Sequence, residues 1–205
     1  MSSISIIGLG NMARAIGTRA VVAGHSVQLI GRDPAKAAAL ADDLGGAVST
    51  AVLGAAVTGD IVILAVPYSD VLGLLHDHAH LLAGKVIVDI SNPFHLGTLT
   101  DLVTPPDSSA AQEIAKVVPA DASVVRAFNT LFAGVLASGQ AVDVFLAGDD
   151  AGARAAVASL ITSLGLRPLD AGDLKYAHWL EGAGLLILGQ AARRNDFSVH
   201  LAIAA

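Results

Sequence analysis

Cysteine is absent from this 205-residue chain, which excludes disulfides and thiolate chemistry and agrees with a reducing compartment. Positive charge is scarce: 12 Lys and Arg face 18 Asp and Glu, a net charge of −6. Nucleic acid is therefore not an expected partner, because backbone phosphates are bound by clustered cations. Only "ARRN", Ala192 to Asn195, clusters any. Long apolar runs are missing as well. Although 54% of the residues are hydrophobic, no stretch reaches the ~18 consecutive apolar residues of a spanning helix. The longest candidate, "GAGLLILGQAA" from Gly182 to Ala192, is short and carries Gln190, so it reads as a buried helix. The chain enters a strand almost at once, without a basic leader or cleavage site, so a cytoplasmic protein off the membrane is expected.

Convincing catalytic constellations are also lacking. No Ser/His/Asp arrangement or carboxylate pair stands out. "HDHAH" puts His76 and His80 at i, i+4, but without cysteine or an H-E-x-x-H pattern they read as solvated histidines, and no metal is expected.

What the sequence does have is alternation. Short apolar runs alternate with alanine-rich stretches and are separated by Gly, Asp, Pro or Asn, the pattern of βαβ units on a parallel sheet. Strands are expected at Ile4–Ile7, Ser26–Ile30, Ile61–Ala65, Val86–Ile90, Ser123–Ala127, Val142–Ala147 and Leu166–Leu169. "DIVILAV" and "KVIVDIS" are continuously apolar, as in strands covered on both faces. "TPPDSS", Thr104 to Ser109, is the clearest loop and ends in a helix N-cap. A long helix follows from Asp173 to about Arg194, with Leu180, Leu185, Leu188 and Ala192 available to cover the sheet or a second subunit. The expected α/β architecture is a doubly wound parallel-sheet Rossmann fold over residues 1–170, with a small C-terminal helical addition over 171–205.

The first junction carries the main functional signal. In "SISIIGLGNMARAIG", Gly8, Gly10 and Ala13 fit G-x-G-x-x-G/A between a strand and a helix, with Leu9, Asn11 and Met12 in the same turn. The first glycine permits the tight turn, the second lets a pyrophosphate approach the backbone, and the small third residue lets helix and strand pack. The helix N-terminus offers free N–H groups to the phosphates. At the end of the second strand, Gly31 stands where an NAD-preferring protein places a carboxylate, and Arg32 and Lys36 follow it. Two cations there suit the 2′-phosphate of NADP. Asp33 reads as the N-cap of the next helix, with Pro34 at its first position. In "LAVPYSDV", Ala65, Val66, Pro67 and Val71 are expected to border the nicotinamide ribose or the adenine.

With these residues, the chain resembles the NADP-dependent coenzyme F-420 (F420) oxidoreductase family. The resemblance rests on "GLGNMARAIG", "GRDPAKA", "DISNP", "SSAAQEIAKVVP", "VVRAFNTLFAGVL", "FLAGDD", and "LGLRPLDAGDL" followed by "WLE". It implies hydride exchange between NADP and a deazaflavin in a commonly dimeric protein, with Asn92, Pro93 and the Ala127–Thr130 segment flanking the nicotinamide and Asn129 meeting its carboxamide. Direct transfer between two flat rings also accounts for the missing acid and base. An apolar groove of Val66, Pro67, Pro93 and Phe128 would suit the second ring, and Lys175, Arg193 and Arg194 are the candidates for an acidic tail. The competing readings are a non-catalytic NADP(H)-sensing module and a reductase of an imine, a flavin or a ferric chelate.

Overall fold

The computed structural model describes residues 2–95 and 97–204. Eight strands form one sheet in the order β3-β2-β1-β4-β5-β6-β7-β8: β1 (Ser3–Ile7), β2 (Ser26–Gly31), β3 (Val48–Val52), β4 (Ile61–Leu64), β5 (Val86–Asp89), β6 (Ser123–Ala127), β7 (Asp143–Gly148) and β8 (Arg167–Asp170). The helices between them are α1 (Asn11–Val22), α2 (Pro34–Leu44), α3 (Tyr68–His78), α4 (Ala110–Ala115), α5 (Ala133–Ala137) and α6 (Ala151–Ser163). The chain closes with α7 (Ala177–Arg194), entered through a 3-10 turn at Leu174–Tyr176. The expected doubly wound Rossmann architecture is present.

Alternate residues of the continuously apolar strands serve opposite faces, as a period of two requires. Ile4, Ile6, Ile61 and Ile63 join one core with Ile16, Leu40, Val157 and Ile161. Ile7, Val62 and Leu64 join the other with Val71, Leu75 and Ile114. This explains why these strands read as unbroken apolar runs.

Two features depart from the expected sheet. First, β7 runs antiparallel to β6, while every other pairing is parallel. The only helix between them, α5, has five residues. It rises about 7.5 Å, roughly half the ~16 Å length of a five-residue strand, so the chain re-enters the sheet from the end it left. Second, β3 was not among the expected strands. Its five residues "VSTAV" are half-buried or exposed at the sheet edge, and they are held by their register with β2, Val27↔Val48 to Gly31↔Val52.

Side chains cap α2, α4 and α6: Asp33 accepts from the Ala35 and Lys36 amides, Ser109 from Gln112, and Asp150 from Ala153. The buried face of α7 is Ala177, Leu180, Glu181, Gly184 and Ala191. It differs from the expected stripe, because Leu185 and Leu188 are half-buried and Ala192 is exposed. The helix turned to bury a carboxylate. Among the described residues no helix is long and apolar enough to cross a membrane.

Candidate functional site

Gly8 and Gly10 are glycines for different reasons. Gly8 has φ +122°, and a Cβ there would lie 2.2 Å from the Ala65 carbonyl oxygen. Its amide donates to Ile30 O at 2.9 Å, and Ala65 N donates to Ile7 O at 2.8 Å, closing the turn against β2 and β4. The fold itself therefore requires Gly8. Gly10 has an ordinary φ of −91°, and a Cβ there would meet nothing within 4 Å. It is the N-cap of α1, has no side-chain cap, and no acid occupies the first turn. The leading amides of α1, like those of α3, α5 and α7 and unlike those of α2, α4 and α6, thus have no side-chain acceptor. Ala13 is fully buried, as close helix–strand packing demands.

A cleft of about 600 Å³ opens along the carboxyl ends of β1, β2 and β4. The structure brings to its wall the predicted Gly8, Leu9, Gly10, Gly31, Arg32, Asp33, Lys36, Ala65, Val66 and Pro67. Leu53, Leu74, Asp77 and His78 close its far end. Arg32 is largely exposed, with Nη2 3.7 Å from the Asp70 carboxylate across the mouth. The Asp33 carboxylate is occupied by α2, accepting at 3.0 and 3.1 Å. Gly31 is pressed by its neighbour: a Cβ there would lie 2.4 Å from Leu9 Cδ1.

Other predicted residues lie elsewhere. Asn11 lines a second groove, between α1 and α5. The Met12 side chain packs against the core, and Val71 is fully buried. Of the expected apolar groove, Val66 and Pro67 line the cleft, whereas Pro93 and Phe128 are buried and line no open surface. His76 and His80 form no metal site; among the described residues no group of three or more His, Cys, Asp or Glu is placed to hold a metal ion. Lys175 pairs with Asp173 at 3.2 Å, and Arg193 and Arg194 sit in the last turn of α7.

Asn92 and Asn129 lie at the carboxyl ends of β5 and β6 and bind each other. Asn92 Nδ2 donates to the Asn129 carbonyl at 2.9 Å, and Asn129 Nδ2 donates to Asn92 Oδ1 at 3.2 Å and to Leu180 O at 2.8 Å. Behind the pair is a polar cluster that sequence reasoning missed. Arg126 and Asp89, both fully buried, form an ion pair, and Arg126 Nη2 also donates to Asn92 Oδ1 at 3.1 Å. Glu181 of α7, equally buried, stands 3.6 Å from Arg126 and accepts the Ala110 amide at 2.9 and 3.1 Å. Burial pushes its carboxyl up to about 7, against the pull of Arg126 and the α4 amides. Gly184 lets α7 approach, since a Cβ there would lie 3.1–3.2 Å from the asparagine pair. The only sequence signal was a charged residue inside each of three apolar runs, "IVDI", "VVRAF" and "WLEGAG".

A glycine turn at an uncapped helix and a cleft across the parallel strand ends define the class of this chain as a Rossmann-like fold with an open crevice at the carboxyl ends of its strands. Residues 3–93 match the family described as NADP oxidoreductase coenzyme F420-dependent. The chain is 32% identical over 188 residues to metalloreductase STEAP3 of Rattus norvegicus, covering 90% of this chain and 37% of that protein. It is 32% identical over 144 residues to the F420-dependent NADP reductase of Methanocaldococcus jannaschii, covering 66% of this chain and 63% of that one. Thus it spans less than two thirds of either relative. Among solved structures, a protein from Arthrobacter sp. FB24 provisionally named an F420-dependent NADP reductase superposes with a TM-score of 0.87 at 26% identity, each chain wholly covered.

Proposed function

We propose that this protein transfers a hydride directly between NADP(H) and a flat redox partner, a deazaflavin of the F420 type. The observation that carries the reading is Gly10: neither its backbone angles nor its packing require glycine, its Cβ would stand in open space on the cleft wall, and the α1 N-terminus it begins has no side-chain cap. A diphosphate fits that space and those donors. Arg32 and Lys36 would hold the 2′-phosphate, charge to charge, while Leu53, Leu74 and His78 border the adenine end. A diol-binding carboxylate of the kind NAD-preferring proteins carry could stand at position 31 only if the Leu9 side chain moved aside. Ala65, Val66 and Pro67 would border the nicotinamide ribose, and Asn92 with Asn129 would bound the ring, the buried Asn129 Oδ1 having no partner among the described residues.

When bound, NADPH supplies the hydride. The chain supplies position: β4, β5 and β6 hold their carboxyl ends in fixed register, a rigid frame on which two stacked rings would be oriented without a protein acid or base. This reading places the protein in the cytoplasm. It also includes a homodimer, for which the exposed Trp179 and Leu186 on α7 offer an apolar face; light scattering checks it.

The test is NADPH oxidation by purified protein with F420, free flavins and ferric chelates in parallel. F420 reduction is the expected result. Turnover with ferric chelates alone would favour the activity for which the STEAP3 relative is named. Tight NADPH binding with no turnover on any acceptor would leave the sensing module.

A further inference from the structure

Asp89, Arg126 and Glu181 are more than a structural staple. All three are wholly buried, from three separate elements, and they sit behind the asparagine pair. Two carboxylates share one guanidinium, so the cluster carries a formal charge of −1 when both are ionised and zero when Glu181 holds a proton. Asp89 lies beyond Arg126, the Ala110 amide of α4 binds the carboxylate, Glu113 of α4 is tied to Ser108 and Lys116, and His178, one turn back on α7, meets the Ser108 carbonyl through Nδ1. The cluster also reaches the cleft wall electrostatically: Tyr68, next to Pro67, has its hydroxyl pushed up by burial and by the charges of Glu113, Glu181 and Asp89.

Nicotinamide is cationic when oxidised and neutral when reduced. We infer that Glu181 is a specificity-determining residue for the oxidation state of the bound dinucleotide: its ionised carboxylate, behind Asn92 and Asn129, favours NADP⁺, and its protonated form relaxes that preference toward NADPH. The inference rests on the proposed dinucleotide site. Burial holds the Glu181 proton until about pH 7, so the switch falls in the neutral range. A unit charge acting over a distance on the order of 10 Å, through protein of effective dielectric ~20, would change the ratio of the two affinities by about tenfold.

The experiment is calorimetric titration of the protein with NADP⁺ and with NADPH at pH 6 and pH 8, each in two buffers of different ionisation enthalpy. Both nucleotides carry the 2′-phosphate, whose own titration near pH 6 cancels in the ratio. The expected result is an affinity ratio moving about tenfold toward NADP⁺ at pH 8, with proton release on NADP⁺ binding near pH 7. In Glu181→Gln, which keeps an acceptor for the Ala110 amide, the ratio should stay at its low-pH value and the buffer dependence should vanish. Two nucleotides that bind with a pH-independent ratio would overturn this inference alone. So would a Gln variant that keeps the wild-type pH dependence. Absence of binding by either nucleotide would overturn the dinucleotide reading and this inference with it.

Discussion

Leu9 lies over Gly31: a Cβ at position 31 would come within 2.4 Å of Leu9 Cδ1. The residue between the two cleft glycines thus leans over the position where a ribose-binding carboxylate would be attached. Gly31→Asp alone should lose affinity for both NADPH and NADH, since the new side chain displaces Leu9 into the cleft. Leu9→Ala combined with Gly31→Asp should move preference toward NADH by one to two orders of magnitude. Fluorescence titration of the four proteins with both nucleotides measures it, and a double variant with unchanged preference would remove Leu9 from the account.

Gly8 and Gly10 should separate folding from binding. Gly10→Val places its side chain in open space and costs the fold no more than about 1 kcal/mol as a poorer N-cap. It should nonetheless abolish NADPH binding. Gly8→Ala meets a carbonyl at 2.2 Å from a left-handed backbone and should cost more than the ~1–3 kcal/mol typical of such strain. Thermal melts and nucleotide titration of the pair read the difference; retained binding by Gly10→Val would reduce the motif to a turn.

Arg32 is mostly exposed and its partner Asp70 is 3.7 Å away, so the pair adds little to stability. Arg32→Glu should leave the melting temperature nearly unchanged. A lost charge-assisted contact is worth roughly 1.5–3 kcal/mol, so NADPH should bind one to two orders of magnitude more weakly. NADH affinity should change much less, and equal losses for both nucleotides would detach Arg32 from the 2′-phosphate.

Arg126 is the cation shared by two buried carboxylates. Arg126→Met leaves Asp89 and Glu181 facing each other without a cation and should destabilise the protein by about 3–5 kcal/mol. Chemical denaturation checks this, and a loss below about 1 kcal/mol would show that the cluster is not coupled as its geometry implies.

Stability should also fall from mildly acidic to mildly basic pH. The folded Glu181 carboxyl is raised from 4.5 to about 7, chiefly by burial, so it binds its proton more tightly folded than unfolded. Its contribution is full below pH 4.5 and is lost as pH rises through about 7, an effect of up to about 3 kcal/mol at ~1.4 kcal/mol per unit. Asp143 acts oppositely. Arg167 holds its carboxyl below 3.8, and that contribution is lost as pH falls through the acid range. Urea midpoints should therefore be higher at pH 5 than at pH 8, and Glu181→Gln should flatten the slope. A flat wild-type profile would contradict a Glu181 carboxyl raised by burial.

The strands of both cores, the glycine turn, the Asp33 cap and the cationic end of β2 were legible in the sequence, because each is local: a period, a cap or a short spacing dictates it. Tertiary structure decided the rest. β3 exists only through its pairing with β2, and β7 reverses because α5 is too short to cross the sheet. Val71, Pro93 and Phe128 turned inward where a site reading had left them facing a ligand. Gly8 and Gly10 look alike in one dimension, and only the Ala65 carbonyl, 55 or more positions away, tells them apart. Asp89, Arg126 and Glu181 were single charges in separate apolar runs, 37 and 55 residues apart. Their meaning is a mutual Coulomb energy in a dry interior, which no local pattern encodes and which arises only when the chain brings all three together.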